Sequence, residues 1–181
     1  MIPWWERLFF ALVNMITKQG LPAGAQTVAV VLPTGYDRAA EEARQRLDIC
    51  EFVRSQVGKP YHLGVEVPLD INDPAEWDCS ELTENAYRRA GLKLPDGSNY
   101  QFDFCQPVRE PLGGDLGFVW SDTWGRIGHV VMCMGDGSII EARGKPVSHV
   151  QVAPMHDWES HPRWRGWRRH PDFARPKEDR I

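Results

Sequence analysis

The chain has 181 residues, of which 42% are hydrophobic and 25% charged, and its formal net charge is −4. This composition is typical of a globular domain with enough apolar residues for a core, and it excludes a disordered or fibrous chain. The slightly acidic charge balance gives no reason to expect nucleic acid as a partner.

Residues 4–18 are apolar but interrupted by polar and charged side chains, so the segment is too short to span a bilayer. We predict an amphipathic helical arm that docks on its own domain or on a partner. A secretion signal is the alternative, because Ala23-Gly24-Ala25 has the form of a cleavage site. The apolar stripe of the predicted arm consists of Trp5, Leu8, Phe9, Leu12, Val13 and Ile16.

The chain divides into three predicted parts. Residues 1–36 form the arm and a linker that contains the strand-like stretch QTVAVVL, residues 37–170 form the body, and residues 171–181 form a polar tail. The body opens with a predicted helix over 37–57, which ends at Gly58-Lys59-Pro60. The apolar residues at helical spacing in it are Ala39, Ala43, Leu47, Cys50, Val53 and Val57.

The stretch EWDCSELTENAYRRAGLKLP, residues 76–95, predicts a second helix that ends at Gly91. Asp78 is a good N-cap and Glu81 follows three residues later, which is an acidic version of the capping box. Cys79 is then the first helical residue, where free N–H groups and the helix dipole favour a thiolate. The competing interpretation is a buried, inert cysteine beside a capping aspartate.

Five strand candidates follow, and helices followed by strands predict an α+β fold with an antiparallel sheet. The candidates are LGFVW (116–120), HVVMCM (129–134), SIIEA (138–142), HVQVA (149–153) and RWRGWRR (163–169). The four histidines at 149, 156, 161 and 170 are expected at the surface or at strand edges. The remaining cysteines, Cys50, Cys105 and Cys133, are predicted to be free thiols in or near the core; two disulfides are the alternative.

His129 opens a strand that continues into the hairpin turn MGDGS. If the loop is Gly135-Asp136-Gly137, Val131 pairs with Glu141 and both face the side that carries His129. Glu141 then lies diagonally next to the histidine and can hold one ring nitrogen while the other faces Cys79. This would be the nucleophile, base and orienter arrangement of acyl-transfer enzymes. A two-residue loop would reverse the facing, and an exposed strand glutamate is the alternative for Glu141.

In order and spacing, GKPYHLG, DCSELTENAYRRAGLKLP, SNYQ, GGDLGFVW and GHVVMCMGDGSIIEA resemble the NlpC-type cell-wall cysteine peptidases over roughly residues 40–153. The resemblance implies a papain-like fold, with N-terminal helices packed on an antiparallel sheet. It implies that Cys79 is the nucleophile, His129 the general base and Glu141 the third polar residue. It also implies substrate-binding roles for Tyr61, near the oxyanion site, for Asp78 and Ser80, which would hold the amine end of the stem peptide, and for Ser98 and Gln101, which would line the cleft.

Three positions depart from the family pattern. Glu81 stands where the family usually has glycine, and Glu141 stands where it more often has His, Asn or Gln. His62-Leu63-Gly64 replaces the usual Trp-Gly-Gly after Tyr61. The last departure falls on residues that would form one wall of the substrate groove.

The implied activity is hydrolysis of a stem-peptide amide of peptidoglycan, typically between γ-D-glutamate and a diamino acid, through an acyl-enzyme and without cofactor or metal. An acyltransferase or another amidase on the same scaffold is the alternative, as is a structural virion component with a degenerate site. Since a secretion signal is not the favoured interpretation, we expect delivery to the wall by a phage tail or a secretion apparatus, with residues 4–18 as the docking element.

Overall fold

The computed structural model describes residues 34–68, 71 and 73–174. The predicted amphipathic helix over 4–18 and the stretch QTVAVVL lie outside the described residues, as does most of the predicted polar tail. The predicted arm therefore stays a prediction, as does the tail beyond residue 174.

The helices and strands follow the predicted α+β order. Helices α1 (Thr34–Ser55), α2 (Cys79–Arg89) and α3 (Ser98–Phe104) come first. The strands and two short helices then follow: β1 (Gln106–Val108), β2 (Leu116–Ser121), β3 (Arg126–Cys133), β4 (Ser138–Arg143), β5 (His149–Pro154), α4 (Met155–Glu159), β6 (Trp164–Arg169) and α5 (Pro171–Ala174).

The six strands form one sheet in the order β1-β6-β2-β3-β4-β5, and every neighbouring pair is antiparallel. All five predicted strands are present, and the α+β prediction is confirmed. Strand β1 was not predicted because it has only three residues, one of them Pro107, and depends on pairing with β6. Helix α4 was not predicted because five residues are too few to show helical periodicity.

Apolar side chains from the two faces of the sheet form two separate clusters. The larger core joins helices α1 to α3 to one face and includes Ile49, Val53, Cys79, Leu82, Ala86, Phe118, Ile127, Val130, Met132, Ile140 and Ala142. The smaller core lies on the opposite face, against helix α4, and consists of Val119, Val131, Cys133, Ile139, Trp158 and Trp167. Both faces of the sheet are thus covered, which accounts for its long apolar runs.

The predicted apolar stripe of helix α1 is only partly on the buried side. Val53 is fully buried as predicted, but Leu47 is 56% exposed, and Ile49, which the stripe left out, is fully buried. The buried side of the helix also carries Arg46, whose guanidinium donates to the fully buried carboxylate of Asp115 at 3.0 Å. Because a charged residue occupies the buried face as the partner of Asp115, apolar periodicity placed part of the stripe on the exposed side of the helix.

The C-terminal end of the body corrects two further expectations. His170 was expected at the surface but is 2% exposed, donates from Nε2 to the carbonyl of Lys93 at 2.9 Å and stacks on the ring of Tyr87. Phe173, in the segment predicted as a polar tail, is buried in the larger core. The chain therefore packs on the body at least as far as helix α5.

All four cysteines are free thiols, as predicted, and Cys105 and Cys133 are buried. Among the described residues, no helix is long and apolar enough to cross a membrane.

Candidate active site

Helix α2 begins at Cys79, with Asp78 as its N-cap in extended conformation. The Asp78 carboxylate accepts from the backbone N–H of Glu81 at 2.8 Å, so the predicted cap is confirmed. In a complete capping box the Glu81 side chain would accept from the backbone N–H of Asp78. Here the Glu81 carboxylate instead accepts from the N–H of Val67 at 3.1 Å. The cap fixes the first turn of the helix, and with it the position of the sulfur of Cys79.

His129 reaches the site because strand β3 contains a β-bulge. Val119 of β2 pairs with His129 but Trp120 pairs with Ile127, so Gly128 is the extra residue. A Cβ on Gly128 would lie 2.4 Å from the Cβ of Ser121, so only glycine fits this bulge. As a result Ile127 packs in the larger core. His129 lies on the same face of the strand as Val131, which belongs to the smaller core.

Glu141 lies beside the histidine, as the hairpin register predicted. Met132 pairs with Ile140, and the N–H of Met134 donates to Ser138 across a loop formed by residues 135–137. This register sets Val131 opposite Glu141. The distance from Nε2 of His129 to Oε2 of Glu141 is 2.5 Å.

His129 is hydrogen-bonded to Glu141, and Cys79 lies close enough to the ring to raise its pKa. Because Nε2 faces Glu141, Nδ1 is the ring atom left for the sulfur. Cys79 belongs to the larger core, whereas Glu141 follows Ile139 towards the smaller core. The imidazole therefore joins groups that are anchored in the two separate cores.

These contacts determine the charge of the histidine. Burial alone would lower the pKa of His129, but its interactions with Cys79 and Glu141 outweigh burial and raise that pKa to about 10. Burial also favours the neutral form of Glu141, yet the bond and charge of His129 hold the pKa of Glu141 below its usual value. At neutral pH the ring is therefore an imidazolium, held between the sulfur of Cys79 and the carboxylate of Glu141.

Tyr61 lies close enough to Cys79 for the two groups to interact electrostatically, while its place at the oxyanion site stays a prediction. Burial raises the pKa of its phenol, and the nearby Cys79 and Asp78 add to the shift. The ring packs on Gly144, where a Cβ would come within 3.2 Å of Cε1 of Tyr61. An isolated bridge between Tyr61 and Trp77 ties this loop to the start of helix α2.

Asp78 and Ser80 flank the cysteine and bond to each other, with the Ser80 hydroxyl donating to Oδ1 of Asp78 at 3.0 Å. The other oxygen, Oδ2, accepts from the N–H of Gly64 at 3.1 Å. Both residues are only 8% exposed. Their carboxylate and hydroxyl are thus held rigidly at the same helix end as the sulfur.

Ser98 and Gln101 correct the expectation that they line the cleft. Gln101 has no exposed surface, accepts from the Thr83 hydroxyl at 2.9 Å and donates to the carbonyl of Ser80 at 3.0 Å. Ser98 is 9% exposed, and its hydroxyl points to the carbonyl of Ile127 at 3.5 Å. Gln101 therefore supports the first turn of helix α2 through the carbonyl of Ser80 and the hydroxyl of Thr83.

Three residues around Glu141 were not found from the sequence. Trp158 donates from Nε1 to Oε2 at 2.9 Å, Gln151 donates to Oε1 at 2.8 Å, and Arg143 approaches Oε1 at 3.4 Å. Gln151 could have been found, since the β4–β5 register pairs it with Glu141. Nothing in the sequence around Trp158 indicated its hydrogen bond to Glu141, because Trp158 lies in the short helix α4, which follows strand β5.

Within the described residues, one group of carboxylates could hold a metal ion: Glu81, Glu84 and Asp96, each with an oxygen within 4.8 Å of the others. These residues are not among the contacts of His129. Acidic groups of this kind are common without an ion, so the cluster gives no support for metal chemistry at the cysteine.

The model of the NlpC/P60 family matches residues 58–169, a range that includes Cys79, His129 and Glu141. The probable endopeptidase p60 of Listeria monocytogenes is 30% identical over 91 residues, which are 50% of this chain and 19% of that protein. A probable endopeptidase of Corynebacterium glutamicum is 27% identical over 132 residues, 72% of this chain and 57% of that protein. The chain thus spans about a fifth of the length of the Listeria relative.

The fold is also found among solved structures. The peptidoglycan hydrolase RipB of Mycobacterium tuberculosis superimposes with a TM-score of 0.56 at 24% identity, covering 86% of this chain and 76% of that one. This likeness confirms the predicted fold. The family match over more than half of the sequence establishes that the chain belongs to the NlpC/P60 family.

Proposed function

We propose that the protein is a peptidoglycan endopeptidase that hydrolyses a stem-peptide amide, between γ-D-glutamate and a diamino acid, by a thiol mechanism. The observation that carries the proposal is the line of contacts from Cys79 through His129 to Glu141. Family membership and the similarity to proteins named endopeptidase p60 support the substrate class.

In the first step the sulfur of Cys79, having given its proton to His129, attacks the amide carbon. A C–S bond forms and the carbonyl oxygen becomes an oxyanion. The backbone N–H of Cys79 is available to this oxygen, because the first N–H groups of a helix have no carbonyl partner within it. The Tyr61 phenol, which lies beside the sulfur and stays protonated, is a second candidate donor.

In the second step the intermediate collapses, the C–N bond breaks, and His129 gives its proton to the leaving amine. Water then attacks the thioester carbon while His129 takes a proton from that water. The C–S bond breaks, the carboxylic acid product leaves, and the thiolate of Cys79 is restored beside the protonated His129. Throughout, Glu141 keeps Nε2 of the ring engaged, so Nδ1 remains directed at the sulfur and the reacting groups.

The amine end of the stem peptide would meet Asp78 and Ser80. Asp78 is held by three donors, the N–H of Gly64, the hydroxyl of Ser80 and the N–H of Glu81. A carboxylate fixed this firmly beside the nucleophile suits recognition of an ammonium group, because its orientation does not have to be set again on binding. In this proposal Gln101 does not contact the substrate and only supports the first turn of helix α2.

Delivery by a phage tail or a secretion apparatus through residues 4–18 stays a prediction, as does the alternative of secretion. The residues on which it depends lie outside the described part of the chain.

Digestion of purified peptidoglycan, followed by mass spectrometry of the fragments, tests the proposed cleavage. The wild type should release fragments with new amine ends, and Cys79→Ala should lose activity by a factor of at least about 1,000 because it removes the nucleophile. Cys50→Ala is the matched control, since Cys50 is a free thiol on helix α1, outside the contacts of His129.

Cleavage that survives in Cys79→Ala would overturn the thiol mechanism. Transfer of the acyl group to an added amine, in place of hydrolysis, would favour the acyltransferase alternative. No cleavage by the wild type, together with a Cys79 that does not react with iodoacetamide, would contradict an enzymatic function.

A further inference from the structure

The carboxylate of Glu141 is surrounded by hydrogen-bond donors. It is 1% exposed, and its Oε2 accepts from both His129 and Trp158, at 2.5 and 2.9 Å. The other oxygen, Oε1, accepts from Gln151 at 2.8 Å. A neutral carboxylic acid would have to turn a hydroxyl towards one of these donors, so the surroundings are complementary to the ionised form.

Trp158 touches both members of the Glu141–His129 pair. Its indole N–H is bonded to Oε2, the same oxygen that faces His129, and its ring lies 5.4 Å from the imidazole, centroid to centroid. Trp158 is 9% exposed and packed in the smaller core, so its direction is fixed by the core and not by solvent. An indole N–H can only donate, which leaves a single role for this contact.

We propose that Trp158, with Gln151, is a positioning residue of this site: the two donors hold the Glu141 carboxylate ionised and aimed at Nε2 of His129. Neither residue touches the sulfur or the proposed scissile bond. Their effect reaches the reaction through the orientation of the imidazole, and for that part the inference rests on the proposed function.

The charged and titratable groups around Glu141 fix the direction of the expected effect. They are His129 on β3, with Cys79 beyond it, and Arg143 on β4; the ring of His161 lies 5.2 Å from that of Trp158, centroid to centroid. Removing the indole donor leaves these charges in place but makes the carboxylate easier to protonate. Glu141 should then take up its proton at a higher pH, and the acid limb of the activity profile should move upward.

Trp158→Phe tests the inference, with Trp167→Phe as the matched control. Trp167 is 5% exposed in the same smaller core, and its indole also donates to a glutamate, Glu159, at 2.7 Å. We expect kcat of Trp158→Phe to fall about tenfold with little change in KM, and the acid limb of its kcat/KM profile to rise by about half a pH unit or more. Trp167→Phe should leave kcat and the acid limb of the kcat/KM profile at their wild-type values.

A second measurement needs no substrate. In protein labelled with ¹⁵N-histidine, the Nε2 resonance of His129 reports protonation of its partner Glu141 by NMR titration. The acid transition of this signal should move to higher pH in Trp158→Phe and stay in place in Trp167→Phe. Equal titrations in the two variants would overturn the inference.

The two measurements separate this inference from the proposed function. If the wild type cleaves no peptidoglycan but the His129 titration shifts as expected, the positioning role stands and the endopeptidase proposal fails. If Trp158→Phe does not fold, Gln151→Met provides the test, because it removes the donor to Oε1 from a partly exposed position. Its His129 titration should shift in the same direction, and an unchanged titration would overturn the inference.

Discussion

Two buried glutamates near the candidate active site show how strongly their surroundings determine charge. Glu141 is 1% exposed and Glu81 is 4% exposed, yet the pKa of Glu141 lies below the usual value whereas burial raises that of Glu81 to about 7. Glu141 has several donors and a cationic partner. Glu81 accepts one backbone bond at 3.1 Å, from Val67, and has the acid Glu84 as a neighbour.

Burial alone is thus a poor guide to the charge of an acid. It penalises both carboxylates, and the difference comes from what else each one faces. The carboxylate next to the histidine is kept as an anion, and the carboxylate in the first turn of helix α2 changes charge close to neutral pH. Three substitutions, in order of decreasing effect, test this comparison.

The largest effect is expected from Glu141→Gln, which keeps the shape and an acceptor for His129 but removes the charge. We expect kcat/KM to fall by about 100-fold, because orientation and stabilisation of the imidazolium are both weakened. The pKa of His129, raised to about 10 by Cys79 and Glu141, should drop. The alkaline limb of the kcat/KM profile should accordingly move to lower pH.

Glu159→Gln is the matched control for that experiment, since Glu159 also accepts from an indole N–H but lies outside the contacts of His129. An alkaline limb that stays in place in Glu141→Gln would show that the carboxylate does not hold the histidine proton.

A moderate effect on stability is expected from Glu81→Gln. The folded pKa of Glu81, about 7, lies above the ordinary value of 4.5, so the folded state binds this proton more tightly than the unfolded state. Ionisation therefore lowers the free energy of unfolding as pH rises from about 4.5 to 7, and the penalty is complete above that window. Glutamine keeps the acceptor for Val67 without the charge.

Urea denaturation of Glu81→Gln should show a gain of about 2 kcal/mol at pH 8 and little change at pH 4.5. Glu51→Gln, an exposed position on helix α1, should change the free energy of unfolding little at either pH. Equal gains at both pH values in Glu81→Gln would mean that packing, and not charge, causes the difference.

The smallest effect is expected from Arg143→Met. Arg143 approaches Glu141 at 3.4 Å and its side chain is 39% exposed, so solvent screens most of the attraction. Methionine retains an unbranched stem beside the Trp158 ring, on which the guanidinium now lies. Steady-state assays should show less than a threefold change in kcat/KM. A loss comparable to that of Glu141→Gln would place Arg143 among the groups that maintain the anion.

Much of the fold and of the candidate site could be predicted from the sequence, because both depend on local rules. The cap at Asp78, the strand that contains His129 and the three-residue hairpin loop each have a local signal, and strand alternation then brings Glu141 to the histidine. The family resemblance extended this to Tyr61 and to the residues flanking Cys79.

The remainder depends on contacts between residues that are distant in the chain. Trp158 reaches Glu141 from a five-residue helix, and Arg46 is buried only because Asp115 lies across the core. Gln101 was assigned to the cleft by resemblance, but its bonds to Thr83 and Ser80 place it behind the helix. Neither periodicity nor a motif in the sequence predicts these pairs, because the two residues of each pair meet only when the chain is folded.

The β-bulge at Gly128 has a consequence for how such a sequence can change over evolution. It divides strand β3 into two segments of opposite phase, so that Ile127 serves one core and His129 the other. Loss of one residue here would restore simple alternation and turn either the histidine or the core residue to the wrong face. Related sequences that keep the histidine should therefore tolerate substitutions elsewhere in this strand far better than a gap at position 128.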